Sequence, residues 1–300
     1  MTANRQRGLR AALALTLVVA GCASTPAGET TDPALREAVF TLPVPGMGAG
    51  IVVTAYRPPG AGPFPWILLS HGTAPDAEAN RRIGRYRQPA LVHEWLRRGW
   101  AVVVPVRRGY GASGGERPAD SFGSCARPDF ARAGEGAALD LRTAIDWARS
   151  QTDLDAGRWL LVGQSAGGFA SIVTAAQQPP GLAAVLAFAP GRGGNPATRP
   201  GAPCAADRLA DLFASVAPRI SVPVLWFYAE NDQYIGPTVQ RLWFERFRAA
   251  GGQGRLVVVP PFRHRLGHGV VTAPEGIPLW TAAVHDFLHA YRPDLPFARP

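Results

Sequence analysis

One serine of this 300-residue chain has neighbours that could make it a nucleophile. Ser165 is the centre of Gly163-Gln-Ser-Ala-Gly167, a G-x-S-x-G motif that follows the apolar run at residues 159–162. Between a strand and a helix this motif forms a sharp turn, in which the flanking glycines leave room for a strained backbone. The following helix would direct free N–H groups at negative charge developing beside the serine. The sequence therefore predicts acyl chemistry at Ser165; an idle serine in a glycine-rich turn is the alternative.

A serine hydroxyl needs a general base, and a carboxylate normally orients that base. With this motif, the acid and the histidine follow the serine in the chain. A predicted strand at 222–229 leads directly into Glu230 and Asp232, and both carboxylates are candidates. His264 and His268 follow the last predicted strand in a loop. His268 lies between two glycines, which would let the loop bring its ring close to the serine.

The segments that carry these candidates resemble loops of a known family. YAENDQYIGP, which contains Asp232, and PPFRHRLGHG, which contains His268, are similar to the acid and histidine loops of serine α/β-hydrolases related to dienelactone hydrolases. The resemblance extends over roughly residues 37–290 and favours Asp232 over Glu230 as the acid, and His268 as the base.

The same resemblance implies an oxyanion hole. The backbone N–H groups of Thr73 and Ala166 would donate to the oxygen that gains negative charge. The sequence also departs from the relatives, because His71-Gly72-Thr73 lacks the HGGG run of lipases. Dienelactone hydrolases have a cysteine nucleophile where this chain has Ser165, which argues against dienelactones as substrates.

A second glycine-rich segment, Arg107-Arg-Gly-Tyr-Gly-Ala-Ser-Gly-Gly115, resembles the R-G-x-G-x-S-x-G loop of α/β-hydrolases. In those relatives this loop supports the site, so the resemblance implies structural roles for Arg108 and Ser113. Phosphate binding is the alternative, but the Lys and Ser or Thr that a phosphate-binding loop requires do not follow. His264 and His268 are four residues apart, but no H-E-x-x-H motif occurs. The sequence therefore predicts neither a metal site nor a cofactor.

The elements that must position these residues alternate along the chain. Strands are predicted at 37–42, 51–57, 66–70, 100–106, 159–162, 183–188, 222–229 and 255–259, and helices at 88–98, 134–149, 167–178, 238–250 and 279–291. This alternation indicates a mostly parallel sheet covered by helices on both faces. We predict one α/β-hydrolase domain at 36–291, with about eight strands in its sheet, and a C-terminal tail at 292–300. Residues 191–204 are rich in Gly and Pro, where a small lid could lie.

The beginning of the chain differs from the rest. Three arginines precede an apolar run of ten residues and the sequence Val19-Ala-Gly-Cys22, which resembles the lipobox of bacterial lipoproteins. We expect residues 1–21 to be a lipoprotein signal peptide, Cys22 to be lipidated, and residues 22–35 to be a flexible tether. The expected location is the bacterial cell envelope, with the lipid anchor on the outer membrane or periplasmic face. An ordinary signal peptide with a chance cysteine is the alternative.

Composition excludes some chemistry. All 31 basic residues are Arg, so a Schiff-base lysine and a P-loop lysine are impossible. The formal net charge is +9, but no motif for nucleic-acid binding accompanies it, and we expect no nucleic-acid partner. Beyond Cys22 only Cys125 and Cys204 remain. We expect them to form a disulfide in an exported protein, with two buried free thiols as the alternative.

These observations predict a serine hydrolase that cleaves a carboxylic ester, or a related acyl bond of a small molecule, through an acyl-enzyme. In this mechanism Ser165 attacks, His268 transfers the proton and Asp232 orients His268. A small peptidase of the prolyl-oligopeptidase type and an acyltransferase would use the same chemistry. A non-catalytic envelope lipoprotein could use the same scaffold, because a fold does not imply an activity.

Overall fold

The structure, a computed structural model, describes residues 31–74, 76–263 and 267–298. The predicted signal peptide, the lipidated Cys22 and the candidate His264 lie outside these residues. Within the described ranges, no helix is both long enough and apolar enough to cross a bilayer.

Most strands of the described chain belong to one central sheet. The strands are β1 Ala38–Pro43, β2 Gly50–Tyr56, β3 Phe64–Ser70, β4 Ala101–Val106, β5 Gly123–Ser124, β6 Arg127–Pro128, β7 Leu154–Gln164, β8 Leu182–Phe188, β9 Val224–Ala229 and β10 Gly254–Val259. Eight of them form the sheet in the order β1-β2-β4-β3-β7-β8-β9-β10, and β5 and β6 form a separate hairpin. β2 is antiparallel to both β1 and β4, and the remaining neighbours are parallel. The predicted sheet of about eight mostly parallel strands is confirmed.

Helices cover both faces of the sheet. They are α1 Ala77–Arg81, α2 Pro89–Arg97, α3 Phe130–Arg149, α4 Ala166–Ala175, α5 Ala206–Val216, α6 Pro237–Ala249 and α7 Ile277–Tyr291. Successive side chains of a strand point to opposite faces. Trp66 and Leu68 of β3 accordingly pack in a cluster with α3, α4, α5 and α6, whereas Ile67 and Leu69 pack in a second cluster with α2 and α7. Because both faces are buried, β4 is apolar along its whole length.

The packed domain begins earlier than the predicted end of the tether at residue 35. Pro33–Leu35 form a 3₁₀ turn, capped by the Asp32 side chain, which accepts a hydrogen bond from the Ala34 N–H at 2.9 Å. Leu35 is buried with the side chains of α2 and α7. Apolar contact therefore fixes the last residues of the segment that composition alone marks as tether.

The segment predicted as a C-terminal tail packs on the domain. Leu295 and Phe297 are buried, and the Phe297 ring lies 5.1 Å from that of Trp95 between centroids. The indole N–H of Trp100 donates to the Pro296 carbonyl at 2.6 Å. These contacts extend the core of the α2 and α7 face to the described end of the chain.

Candidate active site

Ser165 occupies the sharp turn between β7 and α4. Its backbone has φ 57° and ψ −121°, a conformation that residues other than glycine rarely adopt. Neighbouring segments hold it there, because its N–H donates to the Phe188 carbonyl at 2.9 Å and its carbonyl accepts from Gly191 at 3.2 Å. Such strain persists only where the surroundings impose it, and it commonly marks a functional residue.

The two glycines of the motif are required by close backbone contacts. A Cβ atom at Gly163 would lie 2.2 Å from the carbonyl oxygen of Gly167, and one at Gly167 would lie 2.0 Å from that of Ser70. Both separations are far inside van der Waals contact, so only glycine fits at either position. The same packing brings the end of β3 against the beginning of α4.

Asp232 and His268 form a hydrogen-bonded pair. His268 donates from Nδ1 to Oδ2 of Asp232 at 2.8 Å, and Asp232 is buried. The other carboxylate oxygen accepts from the backbone N–H groups of Tyr234 at 2.8 Å and Ile235 at 3.0 Å. With its proton on Nδ1, the neutral imidazole has an unprotonated Nε2 that can act as a base. Glu230, the other candidate acid, is exposed at the end of β9.

The loop that carries His268 is attached to both other candidate segments. The Gln164 side chain, next to Ser165, donates to the His268 carbonyl at 3.1 Å. The Tyr234 ring stacks on the imidazole, with centroids 4.3 Å apart and planes at 28°. A Cβ at Gly267 would lie 2.5 Å from Oδ1 of Asn231, so a glycine at this position permits the approach of the two loops.

Asn231 links the acid loop to the segment before His268. Its side-chain nitrogen donates to the carbonyls of Phe262 at 3.0 Å and Arg263 at 2.8 Å, and its oxygen accepts from the Phe262 N–H at 2.8 Å. Asn231 and Tyr234 lie in the acid loop that the sequence identified, but sequence reasoning assigned no role to either, because their contacts depend on how this loop packs against the histidine loop.

The predicted oxyanion donors flank Ser165. Thr73 lines the same cavity as Ser165, and a Cβ at Gly72 would lie 3.3 Å from the Cβ of Ser165. Ala166 is the first residue of α4. Within the described ranges, neither the Thr73 N–H nor the Ala166 N–H donates to another protein group. Both are therefore available to an oxygen bound beside the serine.

A buried histidine fixes the loop that contains Thr73. His71 Nε2 accepts from the Arg107 N–H at 3.0 Å, so its Nδ1 carries the proton and donates to the Gly72 carbonyl at 2.7 Å. Burial, together with the positive charge of Arg107, holds the pKa of His71 well below its ordinary value. The ring is therefore neutral, and it orients the Gly72 peptide beside the candidate nucleophile.

Beside this loop lies a buried ionic cluster of Arg107, Asp120 and Arg192. Oδ2 of Asp120 accepts from Arg107 Nε at 3.2 Å and from Arg192 Nη1 at 3.1 Å. Oδ1 accepts from the Tyr110 hydroxyl at 2.6 Å. Burial by itself would raise the pKa of Asp120, but Arg192, Arg107 and the Tyr110 hydroxyl outweigh it and lower the pKa to about 2. No motif predicted this cluster.

A cavity of about 330 Å³ opens onto Ser165. Its wall includes Thr73, Tyr234, the segment after β8 and the chain around β5. A disulfide joins the last two of these segments through Cys125 and Cys204, whose Cα atoms lie 5.5 Å apart, and it is the pairing expected from the sequence.

Arg108 and Ser113 make structural contacts. The Arg108 N–H and Nε donate to the Asp140 carboxylate at 2.8 Å and 2.5 Å. The Ser113 hydroxyl donates to the Val106 carbonyl at 2.5 Å and accepts from the Val52 N–H at 2.8 Å. They tie the loop after β4 to α3 and to the sheet, which is the supporting role expected from the sequence.

The fold and the arrangement at its strand ends define an α/β-hydrolase. The chain is similar to an esterase from Pyrococcus furiosus, at 14% identity over 90% of this chain and 96% of the other, with a TM-score of 0.59. It is similar to a Klebsiella pneumoniae protein assigned as a dienelactone hydrolase, at 18% identity over 82% and 97% of the two chains, with a TM-score of 0.54. It also resembles an acylaminoacyl peptidase from Pyrococcus horikoshii, at 15% identity over 83% of this chain and 40% of the other, with a TM-score of 0.57.

The sequence pattern of the X-Pro dipeptidyl-peptidase (S15) family matches residues 48–210, more than half of the chain. The chain belongs to that family. No protein of curated function shows significant sequence similarity to it. The protein is therefore an enzyme of the hydrolase kind on an α/β-hydrolase scaffold, as the sequence predicted.

Proposed function

We propose that the protein is a serine hydrolase that cleaves carboxylic esters through an acyl-enzyme. The observation that carries the proposal is the hydrogen-bonded pair of His268 and Asp232, tied through Gln164 to the strained turn of Ser165. A nucleophile, an orienting acid and a base, in this chain order, are the components of acyl transfer.

In the proposed reaction the Ser165 hydroxyl oxygen attacks the ester carbonyl carbon, and His268 Nε2 takes the hydroxyl proton. The resulting oxyanion accepts hydrogen bonds from the Thr73 and Ala166 N–H groups. The bond to the leaving alcohol breaks as the imidazolium returns its proton to that oxygen. Water then attacks the acyl-serine with His268 again as the base, which releases the carboxylic acid and restores the serine.

The lining of the cavity favours esters over peptides with a free amino terminus. A dipeptidyl-peptidase must bind the α-ammonium group of its substrate, and carboxylates are the strongest partners for that group. Among the described residues that line the cavity there is no Asp or Glu, whereas Arg192 and Arg199 are both present. We therefore expect cleavage of 4-nitrophenyl butyrate and no cleavage of glycyl-prolyl 4-nitroanilide.

A fluorophosphonate probe tests the nucleophile without a choice of substrate. We expect a stoichiometric adduct on Ser165, located by peptide mass spectrometry, and strongly slowed labelling in His268→Ala. Ser121→Ala is the matched control, because Ser121 lines the same cavity outside the proposed triad. A folded protein that forms no adduct would overturn the proposal in favour of a non-catalytic binding protein.

We also propose that the protein is an exported lipoprotein anchored through Cys22. The disulfide between Cys125 and Cys204 supports this, because disulfides persist mainly in oxidising compartments. Metabolic labelling with a fatty acid should modify the wild-type protein and spare Cys22→Ala, which should leave the membrane fraction. Unlabelled wild-type protein in the soluble fraction would overturn the lipoprotein proposal and would leave the serine hydrolase proposal unaffected.

A further inference from the structure

Two arginines of the segment after β8 give positive charge to the wall of the cavity at Ser165. Arg192 and Arg199 line it, and the described lining residues include no carboxylate. Its neutral polar side chains include those of Asn80, Asn195 and Ser121. A small cavity with this lining favours a ligand with a negative charge and disfavours a cation.

The buried cluster behind the cavity has an excess of one positive charge. Arg107 and Arg192 are both at least nine-tenths buried and share the single carboxylate of Asp120. The neighbouring Tyr110 and His71 are neutral, since burial raises the pKa of the phenol and lowers that of the imidazole. Within the described ranges, Nε of Arg192 has no hydrogen-bond partner. A charge that is only half compensated in a low-dielectric interior attracts an anion in the adjacent cavity.

Arg199 supplies the accessible cation. It is exposed at the cavity, and its Nη2 lies 3.2 Å from the Cys125 sulfur, a weak acceptor. No carboxylate of the described residues lies within salt-bridge distance of it. Its backbone is fixed by a turn in which the Arg199 N–H donates to the Asn195 carbonyl at 2.8 Å. The guanidinium therefore retains donors for a ligand.

We infer that the natural substrate is an ester that carries a free carboxylate, such as a half-ester of a dicarboxylic acid. Arg199 binds this carboxylate by charge-assisted hydrogen bonds, and the buried Arg192 adds a favourable field. The inference rests on the proposed ester hydrolysis at Ser165 and names its substrate class. The carboxylate takes no part in bond cleavage, so the residues that bind it determine specificity.

Two isosteric substrates test the inference. Mono-4-nitrophenyl glutarate and 4-nitrophenyl glutaramate differ only in a terminal carboxylate or carboxamide. After subtraction of spontaneous hydrolysis, we expect kcat/KM of the wild type to be about 10-fold higher for the carboxylate, in line with one charge-assisted contact. Added salt should reduce this preference, because ions screen the exposed guanidinium.

Arg199→Gln should reduce the preference to about 1, through a loss of kcat/KM for the carboxylate that exceeds any loss for the carboxamide. Arg241→Gln is the control, because Arg241 is exposed on α6 and does not line the cavity. It removes the same charge and should leave the preference unchanged. Equal cleavage of both esters by the wild type, or an equal loss for both in Arg199→Gln, would overturn the inference.

A binding measurement separates this inference from the proposed function. Glutarate should slow fluorophosphonate labelling of Ser165 in the wild type and have no such effect in Arg199→Gln. Labelling and cleavage of the neutral ester without protection by glutarate would overturn the inference and leave the serine hydrolase intact. Absence of labelling from the folded protein would overturn both.

Discussion

Both carboxylate oxygens of Asp232 accept hydrogen bonds within the candidate site. One oxygen accepts from His268 Nδ1, and the other accepts from the N–H groups of Tyr234 and Ile235. Asp232→Asn preserves an acceptor for the backbone, but its amide nitrogen cannot accept the Nδ1 proton. The imidazole then takes the other tautomer, with Nε2 protonated and unable to act as a base.

We expect Asp232→Asn to lower kcat for 4-nitrophenyl butyrate by about 10³-fold or more, with little change in thermal stability. Glu230→Gln is the matched control, because it removes a neighbouring exposed carboxylate of the same loop. A similar loss of kcat in both variants would show that the effect is general to the loop and would contradict the assigned role of Asp232.

The Tyr234 ring packs against the face of the His268 imidazole. It stacks on His268 at 4.3 Å and also lines the cavity. Tyr234→Phe keeps this aromatic surface, whereas Tyr234→Leu removes it and gives the imidazole more rotational freedom. We expect kcat within about 2-fold of the wild type for Tyr234→Phe and about 10-fold lower for Tyr234→Leu, from lost orientation of the base. Equal activity of the two variants, measured with the neutral ester, would exclude a positioning role for the ring.

The sequence identified residues whose roles depend on their immediate neighbours in the chain. It missed residues whose roles depend on contacts between distant segments. Ser165 stands in a motif whose turn geometry is encoded by its own neighbours, and His268 stands between glycines in a loop. Asp120 and Arg192 are separated by 72 residues and meet only through the packing of two irregular loops. No spacing or periodicity in the sequence indicates such a contact, so this cluster could be found only in the structure.

At the level of elements, the same distinction explains why α5 was not predicted from the sequence. The apolar periodicity of α3 predicted a helix from 134, although the helix begins at Phe130 after the Asp129 cap, a start signal that the prediction did not use. α5 begins after the Gly- and Pro-rich segment 191–204, its preceding residue Ala205 has φ 51°, and it has no side-chain cap. Without a start signal its amphipathic pattern was not recognised, and the prediction passed from the irregular segment directly to β9.

The disulfide connects two segments that have little regular structure of their own. Cys125 belongs to the hairpin of β5 and β6, Cys204 ends the segment 191–204, and 79 residues separate them. Replacing both cysteines by Ser should lower the free energy of unfolding by about 2–4 kcal/mol, because the unfolded chain loses a constraint on a long loop.

Thermal unfolding of the wild type, of Cys125→Ser/Cys204→Ser and of both after treatment with a dithiol reductant checks this prediction. Reduction should lower the Tm of the wild type towards that of the double variant, whose own Tm should not respond. A reductant effect of equal size on both proteins would mean that the disulfide is not its target.

At the scale of the whole molecule, the parallel sheet accounts for the assembly of residues that lie far apart in sequence. Parallel strands present their carboxyl ends at one edge, so the loops after them converge there. The loops after β3, β4, β7, β8, β9 and β10 carry, in that order, His71 to Thr73, Arg107, Ser165, Arg192, Asp232 and His268. The predicted parallel sheet was therefore sufficient to indicate that these loops meet at one edge, whereas the shape and charge of the cavity depend on how those loops pack.

His71, in the loop that leads to Thr73, is buried as a neutral ring, and this makes the free energy of unfolding depend on pH. Its folded pKa lies well below the ordinary value of 6.5, so below pH 6.5 the unfolded chain binds a proton that the native protein does not. Stability contributed by the neutral ring is therefore present above pH 6.5 and is lost as the pH falls. One such group changes the free energy of unfolding by at most about 1.4 kcal/mol per pH unit.

We expect denaturant unfolding of the wild type at pH 7.0, 6.0 and 5.0 to show this decline, and His71→Gln to show a shallower one. The absolute stability of His71→Gln should be lower at pH 7.0, because its side chain cannot reproduce both hydrogen bonds of the ring, but the slope is the diagnostic quantity.

His93→Gln is the control, since His93 is exposed on α2 and should leave the slope unchanged. Equal slopes for the wild type and His71→Gln would mean that His71 binds its proton equally in the folded and unfolded chain. That outcome would require a native partner that stabilises the imidazolium, and the positive charge of Arg107 does the opposite.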